Sequence, residues 1–181
     1  MGIDDDDIHR HLANHDYVTA LEVLVHAYQH AMVRFCTGML GEEGDDAAQE
    51  VFLSAYEAMP RFRRTASVRT WLFAIARNRC RKVLRDRKRR RRSRRQEHEI
   101  ARQVHRNPLP RLQSEDLGHR VWQFLQELPE KERAIVLMRS RHALSHPEVA
   151  KVLGISKRSV QRKWAQALKY LGGRLHETME S

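Results

Sequence analysis

A chain of 181 residues, with 34 Lys and Arg against 23 Asp and Glu, has room for one ordinary domain or two small ones and carries a net charge of +11. Cys36 and Cys80 are too few for a disulfide framework or a thiolate zinc site, each sits in a helical pattern, and a reduced setting is expected. The opening MGIDDDD lacks the basic and apolar regions of a secretory leader, and no apolar run is long enough to span a bilayer, so a cytoplasmic protein without membrane insertion is expected.

The charge is segregated along the chain. Residues 1–59 carry 2 basic and 12 acidic side chains (net −10), residues 60–95 carry 17 and 1 (net +16), and residues 96–181 carry 15 and 10 (net +5). That distribution suits one surface that meets nucleic acid and another that meets a different partner.

In chain order, Tyr17 to Leu40 has the spacing of a helix, with Leu21, Leu24, Tyr28, Met32, Phe35 and Met39 recurring on one face and Gly38 and Gly41 at its end. His26 and His30 stand four apart but lack a third ligand in register, and His9, His11 and His15 are an equally weak metal signal, so neither a metal nor a cofactor is expected. The next helix buries Ala48, Val51, Phe52, Ala55, Tyr56 and Met59, and its opposite face carries Asp46, Glu50, Leu53 and Glu57. Leu53 among carboxylates has the look of a docking ridge for a basic surface. Pro60 stops this helix, and the loop Arg61 to Ala66 supplies Arg61, Phe62, Arg63 and Arg64.

Ser67 is placed to cap a long helix that begins amphipathic and ends in a run of arginine. Val68, Leu72, Ile75, Arg79 and Val83 form its stripe to be buried, and Thr70, Ala74, Arg77, Asn78, Arg81 and Arg85 lie opposite, as donors for an anionic partner. Trp71, Phe73 and Asn78 share this element with regularly spaced arginines, and aromatics beside cations suit unstacked bases better than a plain duplex backbone.

From Gln96 to Glu115 the apolar pattern fails, and Asn107-Pro108-Leu109-Pro110 breaks any helix. This reads as a flexible linker between a domain over 1–95 and a second over 116–181; its roughly twenty residues could reach ~65 to 70 Å, so the halves need not touch. After it, Val121, Trp122, Leu125 and Leu128 mark a helix, and Pro129 opens another. Ser145-His-Pro-Glu148 is a capping box, and Gly154-Ile155-Ser156 a turn with a new cap, together spelling a helix-turn-helix. The helix after Ser156 is expected to bury Val160, Trp164, Ala167, Leu168 and Leu171 and to end at Gly172-Gly173. Its other face, Arg158, Arg162, Ala165 and Lys169 flanked by Ser159 and Gln161, fits the floor of a major groove. The fold class expected is all-α, two small helical domains, the second with the helix-turn-helix.

Three stretches in combination, DDAAQEVFLSAYEAMPRF, SVRTWLFAIARNRCRKVLRDRKRR and LQELPEKERAIVLMRSRHALSHPEVAKVLGISKRSVQRKWAQALKYL, resemble an extracytoplasmic-function sigma factor of bacterial RNA polymerase. The resemblance implies promoter recognition and melting without catalysis, and the partners core RNA polymerase, promoter DNA and an anti-sigma factor. It implies that Asp46, Gln49, Glu50 and Leu53 grip the clamp of the largest polymerase subunit. By the same resemblance Arg61, Arg63, Arg64 and Ser67 belong to a loop that captures a flipped base of the minus-ten element, and Arg77, Asn78, Arg81 and Arg85 face its upstream edge. Arg158, Ser159, Gln161 and Arg162 would read the minus-thirty-five element. Two other readings remain open here: a free-standing helix-turn-helix regulator, which would bind duplex operators alone, and a nuclease using Asp46, Glu50 and Glu57 as metal ligands.

Overall fold

In the computed structural model, residues 5–98 and 117–179 are described, and every regular element among them is helical. The first half comprises α1 (Asp5–Ala13), α2 (Tyr17–Leu40), α3 (Gly44–Ala58) and α4 (Val68–His98). The second comprises α5 (Leu117–Glu127), α6 (Glu130–Val136) with a π-helical turn over Leu137–Arg141, α7 (His146–Leu153) and α8 (Lys157–Met179). Helix α4 thus runs three residues past the boundary expected at Arg95, and most of the expected linker lies outside the described residues.

The local signals act as chemistry requires. Ser67 Oγ accepts from the Thr70 amide at 3.2 Å to cap α4. Ser145 and Glu148 close their reciprocal box at the start of α7, and Gly154 takes the left-handed conformation (φ 63°) that ends it. Asp16 caps α2 through the Thr19 amide, which, ahead of its contact with His11, holds the Asp16 carboxyl below its ordinary range. Helix α8 does not stop at Gly172-Gly173. It continues because Tyr170 donates to Glu127 and Arg174 lies over the Phe124 ring at 4.8 Å, tertiary contacts that outweigh the ~1 kcal/mol helix penalty of each glycine.

Helix α1 has no counterpart among the expected elements, and it is tied in at both ends of α4's approach. Asp5 accepts from the Val68 amide at 3.2 Å, capping a helix 63 residues away, and from Tyr28 Oη at 3.3 Å. Burial and the Asp5 charge push the Tyr28 hydroxyl up to about 12, so it stays a donor.

The two halves pack on one another, although the length of the linker did not require it. Arg133 Nη1 donates to the Met39 carbonyl at 2.9 Å, its Nη2 holds the Gln126 and Leu128 carbonyls at 2.6 and 3.2 Å, and Gln126 Nε2 reaches the Gly38 carbonyl at 2.9 Å. Gly38 permits this approach: a Cβ there would stand 2.7 Å from a Leu137 methyl. One apolar core therefore runs from Phe35, Leu72 and Phe73 into Leu137, Leu144 and Val149. Cys36 and Cys80 lie side by side within it; contact with Cys36, then burial, push the Cys80 thiol up and keep it neutral.

His142, 5% exposed, sits in this seam with its ring 5.0 Å from Phe73 and 6.2 Å from Phe35. Burial first, then Arg34, Arg69 and Arg141, lower it to about 4 from an ordinary 6.5. Between those values the unfolded chain binds a proton that the folded one refuses. Stability is therefore complete above about pH 6.5 and falls as the pH drops toward 4, by about 2 kcal/mol at pH 5. Urea denaturation across that range checks this, and His142→Phe should flatten it; an unchanged slope in the variant would refute the assignment.

Candidate nucleic-acid interface

The helix-turn-helix presents a face that none of the described residues covers. Val160, Ala167 and, half-buried, Trp164 anchor α8, while Arg158, Gln161, Arg162, Ala165, Gln166 and Lys169 stay exposed and Ser159 is half-buried. Ser159 gives its amide to Ser156 Oγ at 3.2 Å, so it serves the cap as well as the face. The scaffold beneath is braced by Lys163 on Glu132 at 2.9 Å and by Arg139 stacked 5.6 Å from the Trp164 ring. Leu168, expected in the buried set, is 45% exposed.

In the first half, Arg61, Arg63, Arg64 and Ser67 are all exposed on the loop between α3 and α4. The loop is held from outside by α1. Arg64, at φ 55°, donates to the His9 carbonyl at 2.7 Å; His9 stacks on Phe62 at 5.7 Å, and Phe62 leans on Trp71 at 4.8 Å. The α1 contribution was detectable in principle, since three aspartates before Ile8 and Leu12 at a four-residue spacing are the start signal of an amphipathic helix.

On α4, Asn78, Arg81 and Arg85 are exposed and follow the same side of the helix. Arg77 departs from the expectation. It is 8% exposed, donates to Asn78 Oδ1 at 3.1 Å, and faces Glu130 of the other half at 4.0 Å. Thr70 is buried as well. The cause is that α4 lies between two neighbours, with α2 and α3 on one side and α7 on the other, so its polar stripe is not all solvent face. Arg87 pins the helix at mid-length by donating to Glu43 and to the Leu40 carbonyl at 2.9 and 2.8 Å.

The acidic ridge is present on α3. Asp46, Gln49 and Glu57 are exposed and Leu53 is 63% exposed, joined by Tyr56 at 41%, which the periodicity had assigned to the buried stripe. Glu50 is half-buried and paired with Arg79 of α4. Its carboxylate is therefore partly spent inside the domain. Among the described residues no group of three His, Cys, Asp or Glu side chains is placed to hold a metal, and His26 and His30 are simply exposed. Among the same residues no helix is long and apolar enough to cross a membrane.

Two family models match the chain: sigma-70 region 2 over residues 24–90 and sigma-70 region 4 over residues 119–171. The ECF RNA polymerase sigma factor SigC of Mycobacterium tuberculosis is 34% identical over 153 residues, spanning 82% of this chain and 79% of that protein. The ECF RNA polymerase sigma-E factor of Escherichia coli is 31% identical over 144 residues, spanning 74% and 75%. Among solved structures, CnrH in complex with the cytosolic domain of CnrY superimposes with a TM-score of 0.68 at 23% identity, covering 96% of this chain and 99% of that one. The sigma factor RpoE of Bartonella quintana, in complex with the anti-sigma factor NepR, gives 0.69 at 16% identity, covering 86% and 96%.

Proposed function

This chain belongs to the sigma-70 family, as a promoter-recognising RNA polymerase sigma factor of the extracytoplasmic-function type, and from that premise we propose how its surfaces divide the task. The ridge of α3, with Asp46, Gln49, Leu53 and the outer part of Glu50, docks on the clamp of the largest polymerase subunit. The loop with Arg61, Arg63, Arg64 and Ser67 captures a flipped base of the minus-ten element, and Asn78, Arg81 and Arg85 track the strand upstream of it. Unstacking a base costs a few kcal/mol, which a cationic surface carrying aromatics offsets when it binds the melted strand. The α8 face reads the minus-thirty-five element. All of this is binding chemistry, so no enzymatic step is assigned, and the site of action is the cytoplasm, with the polymerase.

The observation that carries the reading is the uncovered α8 face, with Arg158, Gln161 and Arg162 side by side over a capped helix-turn-helix. Arg162→Ala should lose about 1–3 kcal/mol of discrimination at one base pair of the upstream element without changing thermal stability, because Arg162 is exposed. Binding to an array of single-base promoter variants reads this; an equal loss on every sequence would make Arg162 a phosphate contact instead.

Arg77 enters the same scheme only if α4 parts from the second half. The free protein should accordingly bind promoter DNA weakly, and core polymerase, by holding the halves apart at promoter spacing, should strengthen it. Fluorescence anisotropy with and without core enzyme is the test: equal and sequence-specific binding by the free protein sinks the reading in favour of a free-standing regulator. The two structural neighbours were solved with bound partners, CnrY and NepR, and a masking anti-sigma factor is proposed for this chain as well.

A further inference from the structure

Where the two halves meet, three guanidinium groups from three different elements line one cleft. Arg34 comes from α2, Arg69 from α4 and Arg141 from the π-helical turn after α6; His26, Tyr28 and His142 complete the polar wall. The cleft measures about 730 Å³, within the ~300–1,000 Å³ typical of small-ligand sites. Among the described residues no carboxylate lines it, and none of the three arginines has an ion pair.

Two carboxylates close to the cleft have hydrogen-bond partners of their own. Asp5 is taken by Tyr28 and the Val68 amide, and Glu148, which feels the Arg69 charge, is closed in its capping box with Ser145. Below the arginines, His142 is more than nine-tenths buried, and its Nε2 has no hydrogen-bond partner among the described residues. That nitrogen belongs to a side chain that forms the cleft wall.

Packing the halves thus gathers three positive charges around one cleft, with the charge of Glu148 answering that of Arg69 in part. That is unfavourable for the protein alone and favourable for a multivalent anion. Arginines supplied to one cleft by three elements can match phosphate oxygens through paired N–H donors, and a single carboxylate could satisfy only one of the three. We propose that this cleft is a binding site for a small anion bearing two or more phosphate groups, and that the anion is bound by both halves together. Because each half supplies part of the wall, such a ligand favours the packed arrangement by mass action.

The competing explanation is the chain's general attraction for polyanions, above all by the arginine run at the end of α4. The experiment separates them. Inorganic tripolyphosphate and, in a second arm, a purine nucleoside triphosphate are titrated into the full chain by calorimetry at fixed pH, with sulfate at matched ionic strength as control. Saturable binding of one equivalent is expected, weakened about tenfold or more in Arg34→Ala and in Arg141→Ala, whose side chains are exposed and not needed by the core. Arg90→Ala with Arg91→Ala and Arg92→Ala, at the exposed run, should leave it within about twofold. Gly38→Leu, which drives a side chain into Leu137 and separates the halves, should abolish it.

Binding of the nucleotide alone would add a base contact to the same site, and binding of both probes alike would assign it to the phosphates. The inference is overturned if no saturable binding occurs, if the arginine-run variant loses it, or if the Arg34 and Arg141 variants or the Gly38 variant keep it. None of these outcomes bears on promoter recognition by α8, so the proposed function stands or falls separately.

Discussion

Leu53→Asp is expected to weaken binding to core RNA polymerase by about 30-fold or more while leaving the melting temperature of the free protein nearly unchanged. An apolar side chain held 63% exposed at the middle of a stable helix contributes little to its own core, and Tyr56, one turn on, extends the apolar patch. Exposed Asp46 and Gln49 surround it, giving an apolar centre with a polar rim. Central residues of that kind are worth about 2 kcal/mol or more on truncation, and 1.4 kcal/mol is a factor of ten in affinity. Placing a carboxylate there adds desolvation cost to the lost contact.

Leu53 is a cleaner probe than Glu50, the residue the acidic pattern first recommends. Glu50 is paired with Arg79, so Glu50→Lys would set two cations together at the α3–α4 contact and reduce stability as well as docking. Competition binding against labelled core enzyme, with a thermal melt of each variant, distinguishes the two. An affinity for Leu53→Asp within about threefold of the parent would remove α3 from the polymerase interface.

What the sequence discloses and what it hides divide along a physical line. The ends of α2, the capping box of α7, the Ser67 cap and the helix-turn-helix were legible because each is a local agreement between a side chain and a backbone group a few residues away. The expected faces of α3 and α8 largely hold for the same reason, with Tyr56 and Leu168 as the misplaced members. The second neighbour of α4 was not legible. Periodicity states that a stripe is polar; it does not state that Thr70 and Arg77 will be buried, or that Arg77 will face Glu130 of the other half. Nor could the pattern of α1 announce that Asp5 caps α4 or that the His9 carbonyl receives Arg64, since both partners lie more than fifty residues away. The arginines of the interdomain cleft were visible only as charge, because their convergence depends on how the halves pack.

The largest effect on stability should come from one added methyl group, in Gly44→Ala. Intrinsic propensity argues the other way: alanine in the first turn of α3 is favoured over glycine by about 1 kcal/mol, and the backbone of Gly44 (φ −67°) is one that alanine adopts freely. Packing decides against it. A Cβ at Gly44 would lie 2.3 Å from the Cα and 2.4 Å from the amide nitrogen of Thr37, atoms of the α2 backbone that no rotamer change can move. Helices α2 and α3 form the most extensive contact in the fold, so separating them there opens the core around Phe35, Cys36, Ala48 and Val51. Overpacking of this kind costs about 3 kcal/mol or more, which exceeds the propensity gain and is a large part of a small domain's stability. Gly172→Ala, where an added Cβ meets nothing within 4 Å, should by contrast gain up to ~1 kcal/mol, because α8 continues through that position. Denaturation of the two variants side by side tests whether contact or propensity governs each glycine. A Gly44→Ala protein as stable as the parent would mean that propensity outweighs the approach of α2 to α3 at this position.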